Sequence, residues 1–314
     1  MAIFITEEQV QQLATMKDAL ESVEAAFRHW GEGKAANDPR RRLVTRAGGI
    51  QVMAAVDAAA GIAGHKTYGG RNGNLCTLFD LSSGDVLAVM ATGRLGQLRT
   101  GAASGVATKY MAKQDATTLG VVGTGFQAET QIEAVCAVRP IKRVRVFGRD
   151  PEKRAAFATK MRERVGVEVV PVGSAEEAVS NADIICTITS SRTPVVQGIW
   201  LRDGQHINAA GSNSLLRQEI DDNVVSRAHV IAVDHVAQVD LEGGDLLSAL
   251  QRGFVARTQL VELAHVVSGR TKTRTDNAQV TLFKSHGIGL EDIALGHAIY
   301  KKARQQGIGT ELPF

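Results

Sequence analysis

The apolar run Thr117-Thr118-Leu119-Gly120-Val121-Val122 leads directly into Gly123-Thr124-Gly125-Phe126-Gln127-Ala128. A strand that enters G-x-G-x-x-A and continues as a helix is the phosphate-binding turn of a dinucleotide fold. The first glycine permits the tight turn. The second lets the main chain approach a pyrophosphate. The third small residue lets helix pack on strand, and the helix N-terminus offers N–H groups to the anion. Alone, the pattern also describes ordinary Gly-rich turns. Here a second strand is expected over 143–147 with a helix after it, the context a Rossmann unit requires.

The end of that second strand bears on the choice of cofactor. An enzyme for NAD places Asp or Glu there, about 20 residues past the glycines, to hold the ribose 2′-hydroxyl. This chain reads Val146-Phe147-Gly148-Arg149-Asp150-Pro151-Glu152-Lys153. Gly148 offers no carboxylate, and Arg149 suits a 2′-phosphate. Asp150 competes for the ribose, but Asp-Pro-Glu also starts a helix, with Asp as N-cap and Pro at the first helical position. The reading favours NADP(H), with NAD(H) as the alternative. The cofactor-binding set is Gly123, Thr124, Gly125, Phe126, Gln127, Ala128, Gly148, Arg149 and Asp150.

A chain of 314 residues is long enough for about two domains. With 44% apolar and 22% charged residues it reads as globular, and a net charge of +3 gives no reason to expect a nucleic-acid partner. No apolar run reaches the ~20 residues of a membrane span, and no signal peptide is expected. Cys76, Cys136 and Cys186 lie in apolar segments without metal-ligand spacing. Such sparse thiols fit a reducing cytoplasm.

Helices are expected from Thr6 onward, over 16–30 and over 95–111, with a polar loop at 34–42. Strands are expected over 50–56, 61–68, 75–81 and 86–91. Strand–helix alternation begins only at Thr117, which predicts a parallel sheet there. Its strands are 117–122, 143–147, 167–171, 183–189, 206–210, 229–234 and 279–284. A long amphipathic helix, 290–305, closes the sequence.

Further motifs accompany the glycine turn: Pro39-Arg40, His65-Lys66, Leu98-Arg99-Thr100-Gly101-Ala102-Ala103-Ser104-Gly105, His206-Ile207-Asn208-Ala209-Ala210-Gly211 and Thr281-Leu282-Phe283-Lys284-Ser285-His286-Gly287. In this order, nearly end to end, they resemble the ornithine cyclodeaminase/mu-crystallin family. The resemblance implies an α/β chain in two parts. An N-terminal α+β substrate-binding and dimerisation domain, 1–115, is joined by the C-terminal helix 290–314, and a Rossmann domain spans 116–289. It also implies a homodimer that acts on a small amino or imino acid.

Carried over residue by residue, the family's carboxylate-binding arginines fall on Arg40 and Arg99, with Arg42 competing for the first role. The active-site lysine falls on Lys66. A guanidinium offers parallel donors to a carboxylate and stays charged when buried. A lysine whose pKa is lowered by burial or cationic neighbours can move a proton at the substrate nitrogen. Each also has an ordinary reading: an arginine at a helix start and a lysine in a strand are most often solvated. Arg41 reads as surface and His65 as structural.

The family's cyclodeaminases carry an acid/base Asp shortly after the Asn-Ala-x-Gly strand. Here that position is Asn213, followed by Leu215-Leu216-Arg217. An amide can hydrogen-bond an amine or imine but cannot exchange a proton at neutral pH. Asn213 is therefore the second catalytic candidate, and the expected chemistry is hydride transfer to an imino acid. The alternatives are an ornithine cyclodeaminase that forms proline and ammonia, and a non-catalytic NADPH-binding protein.

Overall fold

The glycine turn follows the central strand of a parallel sheet. In the computed structural model, which describes residues 1–69 and 73–313, the chain forms two compact units. One comprises Thr100–His286, and the other Met1–Arg99 with Gly287–Phe314.

The Thr100–His286 unit has eight strands, all parallel. Across the sheet they run Glu168–Pro171, Arg143–Phe147, Thr118–Val122, Ile184–Thr187, His206–Ala209, Val280–Lys284, Ala228–Val233 and Leu260–Glu262. In chain order within the unit this is 3-2-1-4-5-8-6-7, and its first five places are those of a Rossmann sheet. The strands Ile184–Thr187, His206–Ala209 and Val280–Lys284 are buried at every position, as expected where helices cover both faces. The fold class is therefore α/β with a Rossmann dinucleotide domain.

The small-residue motif after Arg99 has a packing reason. At Gly101 a Cβ would strike the main chain of Thr130, so only glycine lets the two helices approach this closely. The His206-Ile207-Asn208 motif joins a buried polar chain. His206 Nδ1 lies 2.9 Å from Thr281 Oγ1, its Nε2 lies 3.2 Å from Asn208 Oδ1, and Asn208 Nδ2 donates to Thr108 Oγ1 at 2.9 Å. Burial, aided by the Arg274 charge, pushes the His206 pKa down to about 3, so the imidazole is neutral and structural.

The other unit is built on a mixed sheet. Its order is Thr310–Glu311, Ile3–Ile5, Val86–Ala91, Leu75–Asp80, Ile62–Tyr68, Gly48–Asp57 and Ala35–Asn37, with Arg41–Thr45 also paired to Gly48–Asp57. Helices Glu7–Leu13 and Met16–Gly31 start at Thr6 and Thr15, each with a capping box. Helix Gly289–Gln306 packs on Met16–Gly31 and on the sheet's central strands.

Two sequence expectations differ from this. Segment 34–42 was expected to be loop, but Ala35–Asn37 is a strand and Arg41 opens another. Arg41–Thr45 is exposed at all five positions, so no apolar alternation marks it in the sequence. The unit boundaries fall at Arg99/Thr100 and His286/Gly287, where 115/116 and 289/290 were expected. Helix Gly93–Met111 runs through the first boundary without a break. Among the described residues no helix is long and apolar enough to cross a membrane.

Candidate functional site

In the unit formed by the chain's two ends, strand alternation brings a charge inward. Ile62, Gly64 and Lys66 share the buried face of Ile62–Tyr68. Helix Gly289–Gln306 covers that face, and a Cβ on Gly64 would meet Ile293 at 3.0 Å. One turn of strand further, Lys66 meets the same helix at Asp292, with Nζ donating to Oδ1 at 3.1 Å. Gly96 leaves room for the lysine, since a Cβ there would lie 2.9 Å from Nζ.

Arg99 reaches the same helix turn. Its Nη1 donates to Glu291 Oε2 at 2.7 Å, and its Nε lies 3.1 Å from Asp292 Oδ1. Arg40 Nη2 donates to the carbonyl of Gly287 at 2.9 Å. Gly287 itself has φ +78° and lies against the Arg99 guanidinium, leaving no space for a side chain. All five charged groups are buried: Arg40 4%, Lys66 8%, Arg99 7%, Glu291 1% and Asp292 0% exposed.

The structure thus brings Lys66, Arg99 and Arg40 together around the segment 287–292. Arg42 is exposed and donates through Nε to Gln51 at 3.1 Å. Arg41 pairs with Asp38 at the surface, and His65 packs its ring against Phe79. Glu291 and Asp292 were missed by the sequence reading. Acidic residues in a first helical turn look like ordinary partners of the helix dipole, and nothing in the sequence says that they are buried.

The electrostatics follow from burial. Desolvation pushes the Lys66 pKa below its usual value, Asp292 opposes that shift, and Arg99 adds to it. At Arg99, burial works against the charge, but Asp292 and Glu291 outweigh it and the pKa is raised. Burial also pushes the Cys76 thiol up, so it is no nucleophile. The cluster therefore offers a permanently charged guanidinium beside an amine that gives up its proton more readily than a solvated lysine.

In the Thr100–His286 unit the glycine turn has the geometry that a dinucleotide needs. Gly123 sits at φ +120°, where a Cβ would strike Ile188 O. Gly125 is the N-cap of helix Phe126–Val138, with open space where a Cβ would stand. Thr124 packs under Gly148, Phe126 is exposed, and Ala128 is fully buried beneath the turn. Main-chain approach and a helix N-terminus without a side-chain cap fit a pyrophosphate.

At the end of the second strand Arg149 is exposed. Asp150 caps helix Pro151–Val165, accepting from the N–H groups of Glu152 and Lys153 at 3.1 Å each. Arg154 also stands here. Its Nη1 donates to Gly148 O at 2.8 Å, and its guanidinium lies 5.4 Å from the Phe147 ring centroid. In the same unit Asn213 is half-buried, in the segment that follows strand His206–Ala209.

The sequence profile of the ornithine cyclodeaminase/mu-crystallin family matches residues 2–307. The chain belongs to this family. Its relatives include the Delta(1)-pyrroline-2-carboxylate reductase of Bacillus cereus, 36% identical over 267 residues, 85% of this chain and 80% of that one. The alanine dehydrogenase of Archaeoglobus fulgidus is 32% identical over 326 residues, covering 99% and 98%. Among solved structures, the Delta(1)-pyrroline-2-carboxylate reductase of Thermococcus litoralis, in complex with NADH and L-proline, superposes with a TM-score of 0.93 at 34% identity. It covers 99% of this chain and 100% of that one. This ornithine cyclodeaminase/mu-crystallin family member is an oxidoreductase that uses a nicotinamide dinucleotide.

Proposed function

We propose that the protein reduces a small α-imino acid, cyclic or acyclic, to the corresponding amino acid, with NADP(H) preferred over NAD(H). The observation that carries this reading is the buried cluster of Lys66, Arg99 and Arg40 around 287–292. Cations held in so little water suit an anionic substrate and a proton transfer far better than they suit a passive core.

In this reading Arg40 and Arg99 hold the substrate carboxylate. Glu291 and Asp292 keep the Arg99 guanidinium in one orientation, so little rotamer freedom is lost on binding. Lys66 delivers a proton to the substrate nitrogen, and its lowered pKa eases that transfer. Asn213, the second catalytic candidate, can hydrogen-bond an amine or imine nitrogen without exchanging a proton. The main chain at Gly123 to Ala128 holds the pyrophosphate, with Gly148 and Arg149 toward the 2′-phosphate. The dinucleotide, when bound, supplies or accepts the hydride.

The same reading makes the protein a cytoplasmic homodimer. Exposed Leu43 and Ile50, paired on neighbouring strands Arg41–Thr45 and Gly48–Asp57, support a partner on that face. The deciding experiment follows NADPH oxidation at 340 nm with pyrroline-2-carboxylate and with pyruvate plus ammonia. Turnover in one of these mixtures, lost in Lys66→Ala at unchanged dinucleotide affinity, is the expected result. Dinucleotide binding without turnover on any imino acid overturns the reading and leaves a binding protein.

A further inference from the structure

Around the segment that carries Asn213 lies a second charged cluster, which the roles above do not use. Lys284 ends strand Val280–Lys284, Asp245 lies in helix Gly244–Gln251, and Glu219 precedes helix Asp222–Arg227. All three are 0% exposed. Lys284 Nζ stands 2.9 Å from Asp245 Oδ2 and donates to the carbonyls of Ser212 at 2.6 Å and Ala209 at 3.2 Å. Asp245 Oδ1 accepts from the N–H groups of Glu219 and Ile220. Glu219 accepts from Gly211 N at 2.7 Å, from Thr187 Oγ1 at 3.0 Å and from Thr189 N.

These bonds converge on one short segment. The two residues before Asn213 are fixed through their main chain, Gly211 by Glu219 and Ser212 by Lys284. Ser212 Oγ fastens the other side by donating to Arg217 O at 3.1 Å and Ser214 O at 3.3 Å. Neither Gly211 nor Gly244, which lies against the carbonyls of Ser214 and Arg217, has room for a side chain.

Stability alone does not call for this arrangement. Hydrocarbon side chains of similar volume fill such a space at equal or lower free energy. Here two carboxylates share one ammonium. Burial and the neighbouring Asp245 raise the Glu219 pKa, the mark of a costly group. What the cluster secures is the position of residues 211–217.

We propose that Lys284, with Asp245 and Glu219, is a positioning group for Asn213 and acts on the reaction through that side chain. The proposal rests on the reading that Asn213 meets the substrate nitrogen. The experiment is a double-mutant cycle with the full chain, using NADPH and the imino acid that the protein turns over. Its corners are wild type, Asn213→Ala, the charge-balanced pair Lys284→Met/Asp245→Asn, and all three changes together. Melting temperature and dinucleotide affinity are measured at each corner.

A group that acts through Asn213 predicts a kcat loss of about tenfold or more for the pair and for Asn213→Ala, with no further loss when they are combined. A merely structural role predicts losses that multiply, or a pair with a lowered melting temperature and wild-type kcat, and either result overturns the proposal. If the pair does not fold, Asp245→Asn alone takes its place in the cycle. Its amide oxygen keeps an acceptor for the N–H groups of 219 and 220. Wild-type kinetics in Asn213→Ala would overturn the underlying reading as well. An impaired Asn213→Ala beside a harmless pair would overturn only the role of Lys284.

Discussion

Lys66 Nζ and Asp292 Oδ1 are 3.1 Å apart across 226 positions of sequence, and both side chains are buried. The pairing sets how readily Lys66 gives up its proton, because burial lowers the lysine pKa and Asp292 opposes that shift.

The first prediction concerns this pair. In imine reduction Lys66 must start protonated, so kcat/KM falls as pH rises through its pKa, which lies below the usual lysine value. Asp292→Asn removes a cause that raises that pKa. The alkaline limb of the pH–rate profile is therefore expected at lower pH in the variant than in wild type. A limb that stays in place or moves upward would show that another group controls it. Removing the amine altogether, in Lys66→Met, is expected to cost about 10²–10⁴-fold in kcat.

Gly287 offers a test of the proposed substrate site that is separate from dinucleotide binding. A methyl group there meets the Arg99 guanidinium, and φ of +78° adds about 1–2 kcal/mol of backbone strain for a non-glycine residue. Gly287→Ala is expected to raise KM for the imino acid about tenfold or more while NADPH affinity stays near wild type. Steady-state kinetics beside fluorescence titration with NADPH checks this. An unchanged KM would remove Arg99 from the carboxylate site.

The proposed preference for NADP(H) rests on Arg149. Asp150 already accepts two main-chain N–H groups as a helix cap, and an exposed guanidinium stands next to it. Arg149→Ala is expected to weaken NADPH by about 10- to 150-fold, from loss of a charge-assisted contact of about 1.5–3 kcal/mol, with little effect on NADH. Dissociation constants for both dinucleotides decide the matter. A wild type that binds NADH more tightly would return the ribose to Asp150.

Asn213 predicts an absence of chemistry. Wild-type protein incubated with ornithine and NAD should form neither proline nor ammonia at a rate comparable with its imine reduction. Amino-acid analysis and an ammonia assay measure both products. Robust proline formation would make the protein a cyclodeaminase that works without a carboxylate at 213.

The dinucleotide half was legible because its signals are local. Gly123, Gly125 and Ala128 are close in sequence, and the Asp150-Pro151 start of the next helix can be read from two residues. Lys66 and Arg99 were reached through a family resemblance, although Ile62, Gly64 and Lys66 already alternate as one strand face. Glu291 and Asp292 were not reachable. Their role depends on which face of the last helix is covered, and the close approach of Gly64 to Ile293 that helps decide it joins positions far apart in sequence. The strand Arg41–Thr45 escaped for a related reason. It is held by pairing with Gly48–Asp57 and has no apolar face of its own to announce it.

The unit that holds Lys66 and Arg99 is closed by the chain's last helix, and this imposes an order on biosynthesis. When Arg99 has been translated, its partner Glu291 is still 192 residues away. At about 5–20 residues per second, that is roughly 10–40 s of elongation. Until then two cations destined for burial have no counter-charge, and breaking such a pair in a finished fold costs about 3–5 kcal/mol. The dinucleotide unit, made from Thr100–His286, is complete in sequence before the helix that carries Glu291 and Asp292 is made. A released chain that ends at His286 should therefore protect its Rossmann half from protease while its first 99 residues remain open to cleavage.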